Sequence, residues 1–172
     1  MRNHYDEILD LVNEQDQVIG QLVRSVVHAR KLSNFRAINA FLVNTKGQLW
    51  IPRRTAHKPL FPLCLDMSIA GHVSSGETYE QAFAREAMEE VSLDMTLVPY
   101  QVLGKLTPHE HGVSAFQQVY KIQIEDVPNY NRNDFIEYYW LTPDQVLQRI
   151  KAGDKAKGDL PKLIKFFQKN LS

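Results

Sequence analysis

The sequence predicts a single α/β domain, and three observations support this expectation. Short apolar runs with strand-like alternation are interleaved with helical patterns rather than grouped by type. The chain of 172 residues has the length of one ordinary domain and can enclose a substantial core. It contains no internal repeat and no low-complexity segment, so its composition does not indicate a second unit.

Turn signals separate the predicted elements. Residues 44–47 form a tight turn within a hairpin, residues 55–62 form a proline-containing loop, and residues 108–112 form a polar loop. Thr142 followed by Pro143 marks a helix start, and Gly153 marks its end. The predicted helices cover residues 25–31, 78–91, 142–153 and 159–169. The predicted strands cover residues 17–23, 37–44, 48–53, 65–70, 97–107, 113–124 and 135–141.

The charge of the chain is balanced, with 20 Lys plus Arg and 20 Asp plus Glu. No overall field would attract it to nucleic acid or to an acidic membrane, so neither is an expected partner. The single cysteine, Cys64, cannot form an internal disulfide. The first residues lack the apolar core of a signal peptide, and no segment approaches the roughly 20 apolar residues that span a bilayer. We therefore expect a soluble, cytoplasmic protein.

Three glutamates lie close together near the end of the helix predicted for residues 78–91. At about 100° per residue, Glu86, Glu89 and Glu90 occupy about a third of the helix circumference, beside an apolar stripe. Converging carboxylates raise the pKa of at least one of them unless a cation lies among them. Oxygen ligands favour Mg²⁺ or Mn²⁺, and Mg²⁺ usually leaves positions for water and phosphate. The pattern indicates either phosphate chemistry at a divalent metal ion or a solvated acidic face paired with Arg85.

The same stretch resembles the Nudix signature, a glycine loop and helix that bind metal in proteins that hydrolyse diphosphates. The match runs from Gly71 through Glu77 to the core REAMEEVSL, which begins at Arg85. It departs at Ser92, where the signature has a glycine that enters the left-handed conformation more readily. The resemblance implies a Nudix-type α/β/α sandwich with a mixed β-sheet. It also implies one domain over residues 1–172, with an N-terminal extension over about residues 1–36 and the Nudix box at residues 71–93.

The resemblance implies roles for individual residues of the box. Glu86, Glu89 and Glu90 would hold Mg²⁺, with Mn²⁺ as the alternative, and the backbone carbonyl of Ala70 would join them. Water would attack a diphosphate phosphorus with assistance from the metal. Glu90 is the first candidate for the base or base-side ligand, Glu89 is counted with it as catalytic, and Arg85 would support the glutamates by pairing.

Some Nudix proteins take their base from a later loop. Glu110 is the nearest candidate for that role in this sequence, and Glu137 is the next. A surface carboxylate is the alternative interpretation of each.

The resemblance extends beyond the box to the isopentenyl-diphosphate isomerase branch of the superfamily. It is carried by VNEQDQVIGQLVRSVVHARK, PRRTAHKPLFP and SIAGHV. In that branch an Arg and a Lys after the hairpin bind the substrate diphosphate, which implies that Arg54 and Lys58 do so here. Their spacing fits a phosphate clamp independently. The residues that perform isomerase acid–base chemistry fall on Ala70 and near Ala115, neither of which can transfer a proton.

The histidine-rich metal site of the isomerases is incomplete in this sequence. His28 and His72 match two of its positions, but the third falls on Phe35. A lone histidine is more often a packed or solvated residue than a metal ligand. We therefore leave both histidines out of the predicted metal site.

The sequence thus predicts a metal-dependent hydrolase that cleaves a diphosphate linkage in a small molecule, most simply a nucleoside di- or triphosphate. Two alternatives stay open: an isopentenyl-diphosphate isomerase, and an inactive protein that binds nucleotide diphosphates. The sequence does not distinguish a monomer from a homodimer. It also does not show whether the substrate carries a base or a prenyl group. Aromatic residues that could form a stacking wall are Tyr5, Phe35, Phe61, Tyr100, Phe116 and Tyr120.

Overall fold

A mixed six-stranded β-sheet forms the centre of the protein in the computed structural model, which describes residues 7–170. Its strands are β3 (Arg36–Val43), β4 (Leu49–Arg54), β5 (Ile69–His72), β6 (Gln101–Leu106), β7 (Phe116–Gln123) and β8 (Phe135–Leu141). The order across the sheet is β6-β7-β3-β4-β8, and β5 pairs with the first half of β3. The pair β3 and β7 is parallel, whereas the other pairs of this sheet are antiparallel.

Helices cover both faces of this sheet, because alternate residues of β3 point to opposite sides. Ile38, Ala40 and Leu42 pack in one buried cluster with residues of α2 (Tyr79–Val91). Phe41 and Val43 pack in another with α4 (Pro143–Lys151) and α5 (Leu160–Lys169). This arrangement confirms the predicted α/β/α class with a mixed sheet.

A second, two-stranded sheet precedes the main one. It consists of β1 (Ile8–Val12) and β2 (Val18–Val23), and α1 (Arg24–Ala29) follows it. The sequence analysis missed β1. Asp10 of this strand accepts hydrogen bonds from the hydroxyl of Ser75 at 2.7 Å and the backbone N–H of Gly76 at 3.2 Å. The hairpin therefore braces the loop that leads into α2.

The helix α2 begins and ends as its sequence predicts. Thr78 and Gln81 form a capping box at its start. It ends at Ser92, whose φ of 55° lies in the left-handed region that the signature reserves for glycine.

Several predicted boundaries and one predicted loop differ from the structure; for example, the strand predicted from residue 113 begins at Phe116. Residues 65–68 are buried but irregular, with Leu65 forming only single bridges to Arg53 and Ala156, so β5 begins at Ile69. The strand predicted from residue 97 begins at Gln101, because the preceding segment turns around Asp94, which binds the amide and hydroxyl of Thr96. The polar loop at residues 108–112 contains a short helix, α3 (Pro108–His111).

No helix within residues 7–170 has both the length and the apolar character needed to cross a membrane.

Candidate active site

The glycine loop approaches the Glu86 carboxylate so closely that no side chain fits between them. A Cβ atom at Gly71 would lie 2.2 Å from Glu86 Cδ and 2.3 Å from its Oε1. Glu86 itself is only 7% exposed. The first glycine of the box therefore makes room for the first glutamate of the core.

Arg85 connects the loop to the helix. Its Nε and Nη2 donate to the two carboxylate oxygens of Glu77 at 2.8 and 2.9 Å, and its Nη1 donates to Glu86 Oε1 at 2.6 Å. Nη2 also donates to the carbonyl of His72 at 3.1 Å, and Glu77 accepts from the backbone N–H of Ser74 at 2.9 Å. The Glu77 hydrogen bonds and the charge of Glu86 raise the pKa of Arg85, so the guanidinium stays charged.

Glu90 is buried where α2 meets β5. It is 8% exposed, and its Oε1 accepts a hydrogen bond from the backbone N–H of Ala70 at 2.8 Å. Burial raises the pKa of the Glu90 carboxyl, and the negative charges of Glu86 and Asp66 raise it further. The contact uses the amide of Ala70, so metal binding by its carbonyl stays a prediction.

Of the three glutamates in the core of the box, Glu86 and Glu90 are buried and Glu89 is exposed. Burial raises the pKa of Glu86 despite its pairing with Arg85, and the charge of Glu89 adds to the increase. Glu89 is exposed, with its Oε2 3.7 Å from Arg85 Nη1. Within residues 7–170, no three His, Cys, Asp or Glu side chains are arranged to hold a metal ion together. The two buried carboxylates are oxygen donors of the kind that hard divalent cations bind, and such ions often fill their other positions with water and phosphate.

Each cation of the predicted clamp pairs with an aspartate that the sequence analysis missed. Arg54 Nη1 donates to Asp66 Oδ2 at 2.8 Å, and Lys58 Nζ donates to Asp134 Oδ1. Both aspartates raise the pKa of Glu90 through their charges. A single acidic residue in the apolar run LCLDMSIA could have pointed to Asp66, but no comparable signal marks Asp134.

One loop, residues 127–134, contacts both the end of α2 and Lys58 of the clamp. The backbone N–H of Asn131 donates to the carbonyl of Glu90 at 2.8 Å, and the hydroxyl of Ser92 donates to the carbonyl of Asn129. The same loop ends at Asp134, the partner of Lys58. The end of α2 and the clamp are thus positioned by a common element.

The later carboxylates are not joined to this site. The Glu110 side chain is 65% exposed on α3 and lies 4.0 Å from His109 Nε2. Among the described residues, no hydrogen bond or ion pair links it to Arg85 or to the glutamates of the box. Glu137 pairs with Arg53 and accepts from the hydroxyl of Tyr139, and these contacts lower its pKa. A role for Glu110 as base therefore stays a prediction.

The two histidines contact each other beside the glycine loop. His28 Nε2 lies 3.0 Å from His72 Nε2, and Phe35 stacks on His72 with 5.4 Å between ring centroids. Burial and the nearby charge of Arg24 lower the pKa of His28. Phe35 thus packs against both histidines of this pair. Ala115, near the expected isomerase glutamate, is 1% exposed.

The three-layer fold and the glycine loop packed on a buried acidic helix define a protein of the Nudix type. Residues 33–162 match the NUDIX domain. The chain is 53% identical over 164 residues to an uncharacterized Nudix hydrolase of Nostoc sp., which covers 95% of this chain and 97% of that protein. The crystal structure of DR0079 from Deinococcus radiodurans superposes with a TM-score of 0.89 at 44% identity, covering 96% of this chain and all of that one. The chain belongs to the Nudix family.

A weaker similarity connects the chain to isomerases of the same superfamily. The isopentenyl-diphosphate Delta-isomerase of Enterobacter sp. is 28% identical over 146 residues, covering 83% of this chain and 80% of that protein. The family and its hydrolase relatives support a hydrolase acting on diphosphate bonds, a class that generally uses divalent metal ions.

Proposed function

We propose that the protein is a Mg²⁺-dependent diphosphohydrolase of nucleoside di- or triphosphates or their derivatives, with Mn²⁺ as the alternative metal. One observation carries the proposal. The loop of residues 127–134 links the buried Glu90 to the cation Lys58, because the backbone N–H of Asn131 donates to the carbonyl of Glu90 at 2.8 Å and Asp134 pairs with Lys58. The two cations of the clamp can bind phosphate, and the two buried carboxylates repel each other unless a metal ion lies between them. This arrangement suits a phosphate substrate that binds together with a metal ion.

The acidic helix supplies the metal ligands and the base. The buried carboxylates of Glu86 and Glu90 would hold the metal ion, and Glu89 and the Ala70 carbonyl would have to turn towards it to complete the set. When bound, the ion would lower the pKa of a water molecule and polarise phosphoryl oxygens. Glu90 would accept the proton of the attacking water. Arg85 keeps Glu86 in place through their 2.6 Å hydrogen bond.

The cations would bind the diphosphate. The Arg54 guanidinium uses Nε for the Leu60 carbonyl and Nη1 for Asp66, so its remaining N–H groups can meet phosphate oxygens. The ammonium of Lys58 carries three donors, of which Asp134 takes one. Both cations can therefore bind phosphate without losing the partners that orient them.

The isomerase alternative lacks support at the reacting positions. Ala70 and Ala115 offer no group that could add or remove a proton at carbon. The other alternative, an inactive protein that binds nucleotide diphosphates, uses the same clamp and requires the buried glutamates to be idle. We further propose one domain over residues 1–172 in the cytoplasm, acting on a small molecule as a monomer or homodimer, with neither nucleic acid nor membrane as a partner.

The test is a release assay on nucleoside di- and triphosphates, nucleotide sugars, dinucleotides and prenyl diphosphates, with and without Mg²⁺. Metal-dependent release of phosphate or nucleoside monophosphate from one class supports the proposal and identifies the substrate. Conversion of isopentenyl to dimethylallyl diphosphate, followed by NMR, would support the isomerase. Tight nucleotide binding with no turnover at saturating Mg²⁺ would support the inactive binding protein.

A further inference from the structure

Phe61 differs from the other aromatic residues considered for a stacking wall. It is 46% exposed, and it lies in the loop that carries Lys58. Tyr100 is also exposed, but its ring packs edge-on against Phe83 and Tyr120, beside α2. The side chains of Phe35, Phe116 and Tyr120 are buried, and Tyr5 lies outside the described residues. Within residues 7–170, Phe61 is thus the member of the set that is both accessible and next to the clamp.

The backbone of Phe61 is strained without compensation from packing. Its φ of 52° lies in the left-handed region, which bulky side chains rarely occupy. Burial of Phe61 does not offset this cost, because the residue is exposed to solvent. Strain of this kind persists where the surrounding structure enforces it, and it is concentrated at functional sites.

Two arginines, Arg54 of the clamp and its neighbour Arg53, hold the main chain on either side of Phe61. Arg54 Nε donates to the carbonyl of Leu60 at 3.1 Å, so the guanidinium holds the peptide that precedes Phe61. Arg53 Nη1 donates to the carbonyl of Leu63 at 3.1 Å, on the C-terminal side of Phe61. Neither arginine contacts the ring through these bonds. They fix the main chain that presents it.

The ring also lies near the charged groups that surround the diphosphate position. Lys157 Nζ is 6.0 Å from the centroid of the Phe61 ring and 3.3 Å from Asp66 Oδ1. Asp66 in turn binds Arg54 at 2.8 Å. Lys157 is therefore near both the exposed ring of Phe61 and the ion pair between Asp66 and Arg54.

We propose that Phe61 is the stacking platform for the base of a nucleotide substrate, an inference that rests on the proposed function. A ligand held through its phosphates at Arg54 and Lys58 would extend towards this ring. The setting favours a planar base over a prenyl chain, because the ring is open to solvent and flanked by a cation. A base can stack on such a ring while its polar edges stay in water, whereas an apolar chain would gain little from so open a surface.

The experiment compares Phe61→Ala and Phe61→Trp with the wild type, using ADP and methyl diphosphate, which carries no base. Leu63→Ala is the matched control, since Leu63 is a second exposed apolar residue of the same loop with a positive φ, 59°. Steady-state kinetics give kcat and KM for both compounds. Calorimetry gives the Kd of ADP in the absence of metal, which does not depend on turnover.

The stacking role predicts that Phe61→Ala raises KM and Kd for ADP about tenfold or more, the usual range for loss of one base–aromatic contact. It also predicts that kcat stays within about twofold, that KM for methyl diphosphate is unchanged, and that Phe61→Trp and Leu63→Ala bind ADP like the wild type. Equal ADP affinity in Phe61→Ala and wild type overturns the inference, as does an equal loss for both compounds. Absence of measurable ADP binding by the wild type overturns it too. If ADP binds and only Phe61→Ala weakens it, but neither compound is hydrolysed, the stacking role stands and the proposed hydrolase fails.

Discussion

The hydroxyl of Ser92 donates a hydrogen bond to the carbonyl oxygen of Asn129 over 2.8 Å. Ser92 occupies the position of a signature glycine and keeps the left-handed backbone of that glycine, with a φ of 55°. Its side chain thereby ties the end of the acidic helix to the loop that carries Asp134. The departure from the signature thus adds a contact between the acidic helix and the loop that carries the partner of Lys58.

Replacing Ser92 with glycine should show whether this hydrogen bond affects substrate binding rather than the stability of the helix. Ser92→Gly relieves the left-handed strain but removes the hydroxyl, so the free energy of unfolding should change by less than about 1 kcal/mol. KM should rise severalfold, because the loop bearing Asp134 loses an anchor. Ser92→Asn, which tolerates the same backbone and restores a donor, should recover the KM of the wild type. Wild-type KM in Ser92→Gly would show that the tether has no bearing on the site.

Gly71 provides a steric test of the position of Glu86. In Gly71→Ala the new Cβ would overlap the Glu86 side chain, which must move because the backbone of β5 is held in the sheet. We expect kcat to fall about tenfold or more through displacement of a metal ligand, with a small change in melting temperature. Gly20→Ala is the control, since a Cβ at Gly20 of β2 meets no atom within 4 Å. Equal activity of the two variants would contradict the close approach of Gly71 and Glu86.

The sequence predicted the elements with the strongest local signals. The box helix and the strand at residues 135–141 agree with the structure within one residue, since a capping box marks the helix and a run rich in aromatic residues marks the strand. The strand β1 was missed because its partner β2 and the glycine loop, rather than its own pattern, keep it extended. Asp66 and Asp134 escaped notice for a related reason. Asp134 is distant in sequence from its partner Lys58. The pairing of Asp66 with Arg54 and of Asp134 with Lys58 depends on tertiary structure.

Lys58 should act on substrate binding rather than on folding. Lys58→Met removes a phosphate donor, and its partner Asp134 is partly exposed, so that carboxylate can be solvated again. We expect KM for the diphosphate substrate to increase about tenfold or more, with a change in the free energy of unfolding below about 1 kcal/mol. Lys165→Met, at an exposed position of α5, should leave both quantities unchanged. An unchanged KM in Lys58→Met would exclude Lys58 from the clamp.

Asp16 should contribute pH-dependent stability. Burial raises the pKa of its carboxyl, but hydrogen bonds from Lys105, Arg36 and Tyr79 outweigh this effect, so the folded-state pKa is lowered. A carboxyl whose pKa is lower in the folded state stabilises the protein above its unfolded pKa of about 3.9 and loses that contribution as the pH falls through the folded value.

Urea denaturation between about pH 5 and pH 3 checks this expectation. The free energy of unfolding of Asp16→Asn should be lower than that of the wild type at pH 5, and the difference should narrow towards pH 3. Asp126→Asn, at an exposed position after β7, should follow the wild type throughout. A constant difference between Asp16→Asn and wild type across this range would mean that the carboxylate charge does not stabilise the fold.

The most direct test of the account is the Mg²⁺-dependent turnover of Glu90→Gln, measured beside Glu80→Gln. Both substitutions lie on α2, but Glu80 is exposed in its first turn, away from the buried carboxylates. The proposed function predicts that Glu90→Gln lowers kcat on the best diphosphate substrate by orders of magnitude while the protein stays folded, and that Glu80→Gln is as active as the wild type. Near-normal kcat in Glu90→Gln would contradict a central role for this residue in hydrolysis.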